Sequence, residues 1–291
     1  MSIKKSFFRA ALDAIERADA LLPPAPRRID WSSTIVGRWT RERGAGRIES
    51  LPRPPAVTLD DLIGVDEQKR RVDRNVRQFL AGLPANDVLL WGPRGTGKSS
   101  LIKAAIATYS ASGLRAVEVD RLDLADLPAI VAAIADTHYR FIVFCDDLSF
   151  EARDSSYKAL KTVLDGGLYE RPENILVCAT SNRRHLVPET ASDNEGTRVV
   201  ETELHYTEAV EEKISLSDRF GLWLSFHPFN QKTYLEIVAH WLAHFGLELD
   251  DESRTEALRF ALERGSRSGR TGFQFARERA GQLGLERREP G

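Results

Sequence analysis

Between Asp87 and Ser100 an apolar run, Asp87-Val-Leu-Leu-Trp91, gives way to Gly92-Pro93-Arg94-Gly95-Thr96-Gly97-Lys98-Ser99-Ser100. Glycines at this spacing let a backbone turn its N–H groups inward into a nest for phosphate oxygens. A helix beginning just beyond them adds positive potential at the same point. Lys98 is placed to reach β- and γ-phosphates, and Ser99 to offer its hydroxyl to Mg2+. About fifty residues on, Phe141-Ile-Val-Phe-Cys145 ends in Asp146-Asp147. A buried strand that ends in acids delivers them to the carboxyl edge of a sheet, where ligands bind in open α/β folds. Asp146 is then expected to hold the Mg2+ through water, and Asp147 to polarise an attacking water. The chemistry these residues point to is binding and hydrolysis of a nucleoside triphosphate.

These groups need a rigid frame, and the hydrophobic pattern supplies one. Short apolar runs predict strands at Val88–Trp91, Arg115–Val119, Phe141–Cys145, Ile175–Thr180 and Leu222–Phe226. Helical periodicity predicts Glu67–Leu80, Ser99–Ser110, Leu127–Ala135 and Ser156–Leu164 between them. Strands apolar nearly throughout are covered on both faces, so the fold class is α/β: a five-stranded parallel sheet of the P-loop NTPase type over residues 59–229. Residues 230–291 show no strand pattern and predict a lid of three helices, Thr233–Phe245, Glu252–Arg264 and Thr271–Gln282. Residues 1–58 read as an appendage, with a helix at Ser6–Leu22 and an irregular, proline-closed stretch from Ile29 to Pro55.

With both motifs in place, the chain resembles the AAA+ superfamily from about Leu59 to Gln282. Leu62-Ile63-Gly64-Val-Asp-Glu-Gln-Lys69 looks like the segment that opens AAA+ modules and packs against adenine, which implies Ile63 and Gly64 as base contacts. Ala179-Thr-Ser-Asn182 is similar to sensor 1, whose polar side chain orients the water. Leu216-Ser-Asp-Arg219-Phe-Gly221 resembles the arginine-finger motif of replication initiators and Holliday-junction motors, which implies a homo-oligomer with Arg219 facing a neighbour's nucleotide. Arg270, in Ser268-Gly-Arg-Thr271, falls where sensor 2 reaches back from the lid. More narrowly, FCDDLSFE, the AVEEKISLSDRFGLWLSF run and RSGR resemble a family of small bacterial ATP-binding proteins called domain of unknown function 815.

Each carried-over residue has a plainer alternative. Arg219 could form an intrachain salt bridge, Arg264 or Arg267 could replace Arg270, and Asn182 could cap a turn. Most AAA+ hydrolases carry Glu where this chain has Asp147, and one methylene less predicts slower turnover; Glu151 is a remote substitute. His240 and His244 stand four apart on a predicted helix but lack the third ligand of a zinc site. Trp223, Phe226 and Phe229 are expected to fill the core between sheet and lid.

Composition narrows the setting. In 291 residues the net charge is −2 and no apolar run approaches membrane-spanning length, so neither a membrane nor a nucleic-acid backbone is demanded. Cys145 and Cys178 lie in strand-like runs, which excludes a disulfide framework and points to a reducing, cytoplasmic location. The region after the second predicted strand, Asp120-Arg-Leu-Asp-Leu-Ala-Asp-Leu127, has no aromatic and no glycine. That disfavours a protein-threading motor. No helix-turn-helix module is expected beyond the lid. The expectation is an ATP-hydrolysing loader or remodeller acting on an unknown protein partner; the alternative is a nucleotide-dependent module that turns over slowly or not at all. The partner is expected to meet the N-terminal arm or the acidic stretch from Glu189 to Lys213. A weaker possibility is nucleic acid, met by Arg38, Arg41, Arg43 and Arg47 beside Trp31 and Trp39.

Overall fold

The computed structural model describes residues 29–286 and 288, apart from 43, 55, 151–156, 166–170, 185 and 187–215. The helix expected at Ser6–Leu22, Arg43, Glu151 and the acidic stretch from Glu189 to Lys213 lie outside the described residues. Among them, strands β1 (Val36–Glu42), β2 (Ala45–Ser50), β3 (Val88–Trp91), β4 (Leu114–Val119), β5 (Arg140–Cys145), β6 (Ile175–Ser181) and β7 (Leu222–Ser225) form one sheet. Its order is β2-β1-β4-β5-β6-β3-β7, parallel throughout except for β2 against β1. Four helices follow or link the strands: α1 (Asp66–Leu80), α2 (Lys98–Tyr109), α3 (Leu127–Ala135) and α4 (Tyr157–Asp165). Helices α5 (Gln231–His244), α6 (Asp251–Glu263) and α7 (Gly269–Glu286) make the lid.

Because successive strand residues point to opposite faces, each central strand feeds two cores. Leu89, Val117, Phe141, Val143, Val177 and Ala179 pack on one face with α3 and α4. Val88, Leu90, Ala116, Ile142, Leu176 and Cys178 pack on the other with α1 and α2. This double burial is why these runs carry almost no polar residues. The lid encloses an apolar cluster of its own around Tyr234, Val238, Leu242, Ala257 and Phe275. Asn230 and Asp250 cap α5 and α6, accepting the backbone N–H of Thr233 (2.8 Å) and Ser253 (2.7 Å).

All five predicted parallel strands are present, but the sheet has two more. The stretch read as irregular between Ile29 and Pro55 contains the β1–β2 hairpin, which adds β1 parallel to β4. Its strands hide from a hydrophobicity pattern because they lie at the sheet edge and are rich in Arg and Glu. Trp39 lies across the hairpin directly over Gly46, where a Cβ would stand 1.9 Å from the indole. Trp31 docks edge-on against Phe141, with ring centroids 4.8 Å apart. Arg115 is buried beneath it, donating from Nε to the Trp31 carbonyl at 2.7 Å.

Candidate functional site

Strands β3, β5 and β6 are parallel and in register, so Trp91, Cys145 and Ser181 end at one edge of the sheet. The residues that follow them therefore converge. They line a cleft of about 610 Å³ that is closed on its far side by lid residues of α5 and α7.

Arg94, Gly95, Thr96, Gly97, Lys98, Ser99 and Ser100 all line this cleft. Gly92 and Pro93 lie behind it as the bend of the loop. At Gly92 (φ 138°) a Cβ would meet the Phe226 carbonyl oxygen at 2.2 Å, so only glycine lets the chain turn here. Lys98 is buried, and its ammonium donates to the carbonyls of Gly92 (2.7 Å) and Pro93 (2.8 Å) and to Asn182 Oδ1 (3.2 Å). Burial pulls its pKa below the ordinary lysine value, against the pull of the Asp147 and Asp146 carboxylates.

The two carboxylates stand opposite. Ser99 Oγ donates to Asp146 Oδ1 at 2.6 Å. Thr180, buried at the end of β6, donates its hydroxyl to the same oxygen at 2.6 Å and accepts the backbone N–H of Asp147 at 2.9 Å. Asp147 has φ 54°, and it is the one non-glycine in the left-handed region among the described residues. Its Oδ1 accepts from Asn182 Nδ2, and its Oδ2 from Arg94 Nη2 at 3.3 Å. Sequence reasoning missed Thr180 and the Arg94 contact. A threonine closing the strand beside Asp146-Asp147 was the available signal for the first.

The donor set fits magnesium. Ser99 and Asp146 offer hard oxygen atoms in contact with one another, beside the glycine-rich loop that follows β3. Among the described residues no group of three or more His, Cys, Asp or Glu could hold a metal alone. Sharing the ion with substrate phosphates and water is the ordinary arrangement for Mg2+.

The opposite wall is apolar: Val57, Leu62, Ile63 and Val65 face Ile237, Trp241 and Phe273 of the lid. Ile63 lines the cleft as expected. Gly64 does not, lying instead against Phe229 and Thr233. Asp61 joins this wall to the lid through a 2.9 Å hydrogen bond with His240 Nε2. Burial raises the Asp61 pKa, but the Thr58 N–H and hydroxyl together with His240 outweigh it and hold the carboxyl below its ordinary value. His240 is thus a lid contact, and His244 packs its ring against Trp241 and Phe245.

Arg270 lines the cleft at the start of α7, where the Gly269 N–H donates to the Gly95 carbonyl at 2.8 Å. Its rivals lie elsewhere. Arg264 covers the Phe260 ring, and Arg267 faces a second cleft behind the loop. Arg219 is not in the cleft; its guanidinium pairs with Asp165 at the end of α4. Trp223 does not join sheet to lid. It lies 6.1 Å from Trp91 on the α3–α4 side, with Arg184 over both rings.

Within the N-terminal stretch, the described arginines of the arginine–tryptophan cluster each have a carboxylate partner in the chain. Arg38 pairs with Glu118, Arg41 with Asp126 and Asp123, and Arg47 with Glu42 and Glu49, while Trp31 and Trp39 are buried. Arg38 and Arg41 keep about half of their side-chain surface exposed, while the core takes the rings.

A family profile described as "Protein of unknown function (DUF815)" matches residues 32–283. Over 110 residues the chain is 33% identical to proteasome-activating nucleotidase 1 of Haloferax volcanii, covering 34% of this chain and 27% of that protein. Over 156 residues it is 28% identical to the 26S proteasome regulatory subunit 6B homolog of Aspergillus niger, covering 44% and 36%. The chain spans about a third or less of the length of such curated relatives. Among solved structures, a variant of Thermotoga maritima RuvB superposes with a TM-score of 0.52 at 17% identity, over 81% of this chain and 68% of that one. The Aeropyrum pernix ORC1 protein in complex with DNA gives 0.55 at 15%, over 78% and 62%. At such identities the likeness is one of fold.

Proposed function

The chain belongs to the DUF815 family and has the AAA+ fold, and from that premise we infer that it binds ATP with Mg2+ and hydrolyses it to ADP and phosphate. The observation that carries this reading is the convergence of Lys98, Ser99, Asp146, Asp147 and Asn182 at one sheet edge, in mutual contact. The loop amides and Lys98, released from its carbonyl partners, bind the β- and γ-phosphates. Ser99 and Asp146 hold Mg2+, which when bound neutralises phosphate charge. Asn182 orients the attacking water and Asp147 accepts its proton. Ile63, Trp241 and Phe273 enclose the base, and Arg270 joins lid to phosphates.

Topology supports a second chain at the site. Arg219 precedes Leu222, which pairs with Val88 at the entry of β3, whereas the phosphate loop leaves β3 after Trp91. Three residue steps put those levels about 10 Å apart along the strand, on opposite edges of the sheet. Arg219 therefore serves a neighbour's nucleotide, leaving Asp165 as the oligomer forms. A finger supplied in trans is worth about 10³–10⁵ in rate.

Steady-state hydrolysis measured against protein concentration tests this. Specific activity should rise with concentration, and Lys98→Ala, Asp147→Asn and Arg219→Ala should each remove it. Activity that is independent of concentration and insensitive to Arg219→Ala would overturn the oligomeric part.

The grip on both Asp147 oxygens favours a second reading, a nucleotide-gated module of slow turnover. Under it Lys98 is needed for ATP binding while turnover stays negligible at every concentration. On either reading the protein is a loader-type switch for a macromolecular partner. The free, buried thiols of Cys145 and Cys178 support a reducing, cytoplasmic setting, and no helix among the described residues is long and apolar enough to cross a membrane.

A further inference from the structure

Lys98, Asp146 and Asp147 each have partners within the site. Lys98 rests on loop carbonyls, Asp146 on Ser99 and Thr180, and Asp147 on Asn182 and Arg94. Arg94 stands apart in this set. It belongs to the phosphate loop itself, yet it reaches across the mouth of the cleft to the carboxylate that follows β5. Its side chain is 75% exposed and that of Asp147 55%. An ion pair this open is worth little in water, so a stronger anion at the same place takes the arginine away. A γ-phosphate is such an anion: doubly charged, presented to the loop from the same side, and able to accept two guanidinium hydrogen bonds. A β-phosphate sits one phosphate deeper in the loop, farther from Asp147.

We propose that Arg94 is a γ-phosphate sensor working in cis. It pairs with Asp147 in the ligand-free and diphosphate states, and the γ-phosphate of a triphosphate draws it off. The transfer frees Asp147 Oδ2 for water only when a triphosphate is present, and it makes the loop prefer triphosphate over diphosphate. This rests on the nucleotide-binding reading above and adds to it the residue that tells the two nucleotides apart.

The test is equilibrium binding of ADP and of a non-hydrolysable ATP analogue with Mg2+, by calorimetry or by the fluorescence of Trp91 beside Gly92. Four chains are compared: wild type, Arg94→Ala, Asp147→Asn and the double variant. The ratio of triphosphate to diphosphate affinity should fall about tenfold in Arg94→Ala, the scale of a lost hydrogen bond to a charged group. Asp147→Asn, which releases Arg94, should raise that ratio, and the rise should vanish in the double variant. The opposite signs cannot both come from misfolding. An unchanged ratio in Arg94→Ala overturns the proposal, as does a rise with Asp147→Asn that persists without Arg94, since that is mere relief of repulsion. A wild type that binds neither nucleotide overturns the nucleotide-binding reading itself.

Discussion

Thr180 shows how much of the site depends on a single hydroxyl. Its one hydroxyl donates to Asp146 and accepts from the Asp147 N–H, so it sets the position of both carboxylates. Thr180→Val keeps the shape and removes both bonds. It should lower kcat roughly 10–100-fold, the usual cost of losing a group that orients a metal ligand, with a smaller change in KM; initial-rate kinetics checks this, and a KM effect alone contradicts it. Lys98, Ser99, Asp146 and Asp147 were legible in the sequence because their chemistry demands a fixed spacing next to an apolar strand. The Thr180 bridge and the Arg94–Asp147 pair were not. Both join loops about thirty to fifty residues apart, and only the strand register brings them together.

At the scale of elements, buried charge ties the sheet together at the edge away from the site. Asp87 is 7% exposed; it accepts from Arg171 Nη1 at 2.6 Å and from the Val177 N–H at 2.7 Å, fastening β3 to β6. Burial pushes its pKa above the ordinary value in spite of Arg171. Asp87→Ala strands a guanidinium and a buried N–H, and should cost about 2–3 kcal/mol in a denaturant titration, less than a fully buried pair because Arg171 is partly exposed. The β1–β2 hairpin was the chief element hidden from pattern reading. Its inward residues, Trp39 and Ile48, are separated by charged ones, so no apolar run announces it. It is held to the turn after β4 by Arg41 and Trp39, which both bond to Asp126. The hydrogen bond from Arg41 is the main reason the Asp126 carboxyl lies below its ordinary 3.8. A depressed carboxylate stabilises the fold fully above its unfolded value and loses that contribution as pH falls through its folded one. Asp126→Asn should therefore be less stable than wild type near about pH 6 and converge with it in acid below that window; parallel curves contradict the assignment.

For the whole molecule, the sheet separates the cleft from the residue proposed as its trans finger. The carboxyl edge bears the phosphate loop and carboxylates, and the opposite edge bears Arg219 on Asp165. The lid closes the first through the Gly95–Gly269 bond and the Asp61–His240 pair. His240→Ala should loosen that closure and raise KM for ATP several-fold with kcat changed less, on the scale of one hydrogen bond; initial rates decide it. Arg219 lies outside the cleft, on Asp165, and under the proposed function hydrolysis is the work of an assembly rather than of one chain. The most direct measurement is complementation. Lys98→Ala chains, which keep the finger, are mixed with Arg219→Ala chains, which keep the site, and ATP hydrolysis is followed. The account predicts that each variant alone is inactive and that the mixture recovers activity at sites built from one chain of each kind. A mixture as inactive as its parts, beside an active wild type, would contradict it.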